Sequence, residues 1–127
     1  MDERFINLPS TSALAYLGDS VFELTVRSHL VKMGISASGK LNKAALGFVT
    51  ATAQSEGAKR ILGHLTEDEL SIYKRGRNLK TSHCPKSADP DEYQRATGLE
   101  TLFAALYLVG DTDRINTLFH LGFISNQ

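Results

Sequence analysis

Two long stretches of this chain are almost free of charge, and each holds one lone acid. From Ser10 to Phe22 the only charged residue is Asp19; from Ala96 to Val109 it is Glu100. The first stretch opens a helical pattern from about Ser10 to Met33 that stops at Gly34. Leu14, Leu17, Val21, Leu24 and Val31 make one stripe, and Ala15, Phe22, Val26 and Leu30 a second. A helix apolar over most of its circumference is expected at the centre of a fold, buried on several sides.

Strand-like alternation is scarce in the rest of the chain, and helical spacing is common. Lys40 to Leu65 reads as one interrupted helix or as two, with Gly47, Gly57 and Gly63 blurring the boundaries. Thr66-Glu67-Asp68-Glu69 is a capping box that starts a short helix ending near Arg75. Gly76 to Ala88 reads as a polar loop. Asp89-Pro90-Asp91-Glu92 is a second start signal, with a cap, a proline in the first turn and acids at the positive end of the helix dipole. That helix should reach about Val109, and a last one should run from Asp111 or Thr112 to Gly122. The expectation is an all-α chain of six or seven helices, with residues 1–127 forming a single domain.

Composition narrows the setting. The 127 residues suit one domain with its own core, and 42% of them are hydrophobic. One cysteine, Cys84, excludes an internal disulfide and fits a cytoplasmic protein. No signal peptide or membrane-spanning run is expected. The four histidines and Cys84 have no zinc-site spacing, and no glycine-rich nucleotide loop is present. Formal net charge is zero, yet eleven of the bases lie between Leu24 and Ala88, against four acids there. A neutral chain so polarised can present a basic face.

The lone acids carry the chemistry. Dehydrating a carboxylate costs several kcal/mol or more, to order of magnitude, so Asp19 and Glu100 need compensation. A basic partner, protonation or a divalent cation held between them would each supply it, and hard carboxylate oxygens suit magnesium. No base lies one helical turn from either acid. Gly18, beside Asp19, marks either a helix crossing or a close backbone approach to a site. Glu23 lies one turn after Asp19, where it is either a further metal ligand or the ion-pair partner of Arg27.

The segment Lys74-Arg75-Gly76-Arg77-Asn78-Leu79-Lys80, followed by His83 and Lys86, is the densest basic cluster, with no acid between Leu70 and Ala88. It is either a solvated charge run or a grip on a nucleic-acid backbone, in which arginines hold phosphate oxygens bidentately and bound counterions are released. Tyr73 and Tyr93 flank it from outside, which argues against base stacking and for a duplex read by shape. Should the segment prove to be only a solvated surface, RNA is expected along the helix containing Lys40, Lys43 and Gln54.

At Ala13-Leu14-Ala15-Tyr16-Leu17-Gly18-Asp19-Ser20-Val21-Phe22-Glu23 the chain resembles the signature helix of the ribonuclease III catalytic domain. Lys74 to Lys80 and Tyr93-Gln94-Arg95-Ala96-Thr97-Gly98-Leu99-Glu100 resemble the Mini-ribonuclease III family in particular. The motifs fall in order across essentially the whole chain. The resemblance implies a helical homodimer, without a separate double-stranded-RNA-binding domain, that places two active sites across an RNA duplex. It implies that Asp19 and Glu100 are catalytic and bind Mg2+, which activates water and steadies charge on the phosphate oxygens. It further implies cleavage of double-stranded RNA to 5′-phosphate and 3′-hydroxyl ends, with the large-subunit (23S) ribosomal RNA precursor as the typical target. Lys74, Arg75, Arg77, Asn78, Lys80, Lys86 and Gln54 are the candidate RNA contacts. The larger ribonucleases III have acids where this chain has Ala15 and Thr97, a departure that leaves fewer protein ligands and more water around a metal. The alternative is a non-catalytic relative that binds RNA or ribosomes; such a protein is expected to lose Asp19 or Glu100, and this chain keeps both.

Overall fold

The computed structural model describes residues 2–80 and 84–125. Among them are six α-helices: α1 (Thr11–Lys32), α2 (Ser38–Val49), α3 (Ala51–Ile61), α4 (Glu67–Arg77), α5 (Pro90–Leu108) and α6 (Thr112–Phe119). Short 3-10 turns cover Glu3–Phe5 and Leu62–His64, and a π-helical turn covers His120–Ile124. No strand occurs among the described residues, so the expected all-α class holds. None of these helices is long and apolar enough to cross a membrane.

Local chemistry sets most boundaries. Ser10 caps α1 by accepting from the Ala13 N–H at 3.2 Å. At the other end Gly34 takes a φ of +90°, and the Ile35 and Gly34 N–H groups bond back to the Leu30 and Val31 carbonyls. Gly110, with φ +79°, closes α5 in the same way. The break between α2 and α3 falls at Thr50, whose extended backbone ends one helix and whose side chain caps the next at the Ala53 N–H. Gly47 and Gly57 lie inside these helices and break neither. Both Thr66 and Asp89 cap as expected.

Three expectations need correcting. The helix begun by Thr66 does not end near Arg75 but runs through Gly76 to Arg77. Gly76 packs there against Thr101 and Gly98 of α5, leaving no room for a side chain, so its role is close packing rather than loop freedom. Beyond α6 the helical path continues through Gly122 to Ile124 as the π turn. Third, the most central helix is α5, packed on α1, α3 and α4. Its Leu99, Leu102, Phe103, Ala104, Ala105 and Leu106 are fully buried. Helix α1 buries Leu14, Val21, Phe22, Val26 and Leu30 but leaves Tyr16, Leu24 and Val31 exposed at 87%, 61% and 61%. The stripe of Phe22, Val26 and Leu30 therefore faces the core, while the other divides: Leu14 and Val21 are buried, and Leu24 and Val31 face outward.

Buried polar groups are paired. Glu69 completes the capping box and takes a bidentate pair of 2.8 Å bonds from Arg114, which also donates to the His64 carbonyl. This ties α4 to α6. Burial opposes ionisation of Glu69, but Arg114 and the Thr66 N–H outweigh it and hold the carboxyl below its ordinary pKa.

Candidate active site

Helices α1 and α5 cross where α1 has no side chain. A methyl group on Gly18 would fall on the Glu100 carbonyl. The crossing and the close approach are thus the same feature, and it sets Asp19 beside Glu100 although 81 residues separate them in sequence. The two carboxyl groups are close enough for Asp19 to act on the ionisation of Glu100. They line a cleft of about 770 Å³ together with Gln54, Thr97, Tyr93 and Lys80.

The two acids differ in their surroundings. Asp19 is exposed in the single chain and Glu100 is half-buried. Helical spacing sets Asp19 beside Ala15, Phe22 and Val26, but it is exposed and lines the cleft rather than being dehydrated among them. Glu100 is pushed up to about 8, first by burial and then by the neighbouring Asp19 carboxylate. Gln54 works against that shift by donating from Nε2 to Glu100 Oε2 at 3.5 Å. No base forms an ion pair with Asp19 or Glu100 among the described residues. Two adjacent carboxylates with no ion pair to a base among the described residues, one of them reluctant to ionise, are a donor set that fits a hard divalent ion. Among the described residues no third acid, histidine or cysteine joins them closely enough to complete a larger metal cluster. Glu23 lies outside the cleft lining and pairs with Arg27 at 2.9 Å.

The basic segment divides. Lys74 and Arg75 lie exposed on the last turn of α4 and, with Asn78, line a separate shallow groove. Arg75 also donates to Thr11 Oγ1 at 3.2 Å, at the start of α1. Arg77 is half-buried and bonds Asn78 Oδ1 at 3.2 Å. Lys80 reaches the carboxylate cleft, whereas Lys86 is exposed in the turn before α5 and does not line it. His83 lies outside the described residues. Tyr73 does not flank a binding surface: it is buried against Gly98. Gln54 shares no helix with Lys40 and Lys43, which are on α2; it is on α3, 5% exposed, at the floor of the cleft. Its proximity to Glu100 is not legible in the sequence, because a separation of 46 positions hides the contact from any local pattern.

Residues 12–111 match the family model of the ribonuclease III domain. The chain is 44% identical over 103 residues to Mini-ribonuclease 3 of Symbiobacterium thermophilum, covering 81% of this chain and 79% of that protein. The chain belongs to the Mini-ribonuclease 3 family. Mini-ribonuclease 3 of Brevibacillus brevis is 38% identical over 117 residues, covering 92% of this chain and 87% of that protein. A crystal structure of a protein from Fusobacterium nucleatum matches with a TM-score of 0.78 and 35% identity, covering 91% of this chain and 92% of that one. Family membership makes the chain an endoribonuclease.

Proposed function

We propose that the protein is a magnesium-dependent endonuclease that cuts double-stranded RNA as a homodimer and matures the 23S ribosomal RNA precursor. The observation that carries this reading is the Gly18 crossing, which brings together two carboxyl groups that no base among the described residues pairs with. Asp19 and Glu100 would hold the ion; Glu23, engaged by Arg27, is at most an outer partner through water. When bound, magnesium supplies positive charge that makes water a better nucleophile and stabilises charge building on the phosphate oxygens. The protein's own part is positional. The α1–α5 contact prevents the carboxylates from drifting apart, and Lys80 at the cleft faces the polyanion. Lys74, Arg75, Arg77, Asn78 and Lys86 hold the duplex by its phosphates, contacts that set register without reading sequence.

Dimerisation is supported by the exposed apolar residues in the C-terminal half of α1 and at its cap. Leu24, Val31 and Met33 are each more than half exposed, an apolar surface that a second copy would cover. Two copies place two active sites on the two strands. Hydrolysis is expected to leave 5′-phosphate and 3′-hydroxyl ends.

The deciding experiment incubates the purified protein with a long RNA duplex and with a 23S precursor transcript, in magnesium and then in EDTA. Cleavage of both strands only with magnesium is expected, along with a dimer mass in light scattering. Equal cutting in EDTA would overturn the metal reading. A monomer that still cuts both strands would overturn the dimer.

A further inference from the structure

Gln54 is an amide buried on the floor of the cleft, 5% exposed, and its one side-chain hydrogen bond among the described residues goes to Glu100 Oε2. It is held there firmly. Thr50 caps α3 one turn earlier, Thr52 Oγ1 bonds Glu92 Oε1 at 3.2 Å, and Arg95 Nε donates to Ser55 Oγ at 2.6 Å. The first turns of α3 are therefore fastened to α5 on both sides of Gln54. A glutamate side chain has several rotamers, and a half-buried one in a cleft needs something to select among them. The Gln54 amide is an uncharged donor, so it can fix one carboxylate oxygen without competing for the negative charge that a cation needs.

We infer that Gln54 is a positioning residue for the metal site: it anchors Glu100 Oε2 and leaves the other oxygen aimed at Asp19, so that the two acids form one ligand pair. This rests on the reading of Asp19 and Glu100 as the ion's holders. The bond is long, at 3.5 Å, so its contribution is orientation more than strength. Partners that orient a ligand without touching the metal are commonly worth ten- to a hundredfold in metal affinity.

The test compares Gln54→Met, which keeps length but removes the donor, with Gln54→Ala, which opens room for a water to donate instead. Mn2+ binding to the protein without RNA is measured by calorimetry, with Glu100→Gln as reference, and folding by thermal melting without metal. Both variants should melt close to the parent. Gln54→Met should bind Mn2+ about tenfold more weakly, and Gln54→Ala less weakly than that. Cleavage should recover as magnesium is raised, with KM for RNA unchanged. Unaltered Mn2+ affinity in both variants, with binding lost in Glu100→Gln, would overturn this inference alone. Parental Mn2+ affinity in Glu100→Gln would overturn the metal reading beneath it. Failure of both variants to fold would make Gln54 a core residue and overturn the positioning role.

Discussion

The carboxylate crossing and the basic segment were both conspicuous as sequence, yet they behave oppositely as structure. Asp19 and Glu100 lie in two regular helices locked backbone to backbone at Gly18, and the fold makes them one site. The run from Lys74 to Lys86 looked like one unit and becomes three: the end of α4, a turn that puts Lys80 in the cleft, and an exposed stretch holding Lys86. A catalytic pair needs sub-ångström placement, which packed helices provide. A phosphate grip needs only charge within reach, and it tolerates division among elements.

The largest expected effect is at the crossing's acids. Asp19→Asn and Glu100→Gln should each lower cleavage at saturating RNA by at least about a hundredfold, since losing a charge that holds the ion forfeits several kcal/mol of transition-state stabilisation. Binding to a duplex in calcium should change little. Single-turnover kinetics beside a binding titration separates the two, and near-parental rates from pure variant protein would dissolve the contrast with the basic segment.

Next comes the glycine that makes the crossing. Gly18→Ala drives a methyl group into the Glu100 backbone, so it should destabilise the fold by about 1–3 kcal/mol and separate the acids. Gly47, in the last turn of α2 with open space around it, is the control: Gly47→Ala should leave stability equal or slightly raised. Urea titrations of both proteins measure the difference. A harmless Gly18→Ala would show that close approach is not what joins the acids.

The third effect is pH-dependent. With a carboxyl raised to about 8 in the fold from an ordinary 4.5, Glu100 is neutral in both folded and unfolded chains at low pH and exerts no penalty there. As pH rises the unfolded chain ionises first, so stability is lost progressively up to about 8 and the penalty is constant beyond. Without metal, Glu100→Gln should match the parent near pH 4 and exceed it above pH 8. The gap should be on the order of 2 kcal/mol once solvent in the cleft is discounted. Melting curves in EDTA across that range would show it, and a gap independent of pH would refute the assignment.

The smallest effect on turnover belongs to the basic segment. Replacing Arg75, Arg77 and Lys80 together by alanine should weaken binding to all duplexes alike and reduce the salt slope by about 2–3. The rate at saturation should fall far less than for Asp19→Asn. Among the three, Lys80 alone lines the cleft and should account for most of any change in rate. A salt titration in calcium measures the slope, and an unchanged slope would send the search for the duplex elsewhere on the surface.

Much of this was already written in the chain. The caps at Thr66 and Asp89, the stop at Gly34, and the solitary status of Asp19 and Glu100 are local facts, legible because helix ends and apolar faces obey short-range rules. Only the tertiary structure decided that α5 rather than α1 is the central helix, that Gly76 is a packing contact, and that Gln54 meets Glu100. Those outcomes depend on which faces of distant helices meet. Helical periodicity tells each face that it must be covered but does not name what will cover it, so contacts such as α3 on α5 are settled by the packing of the whole core.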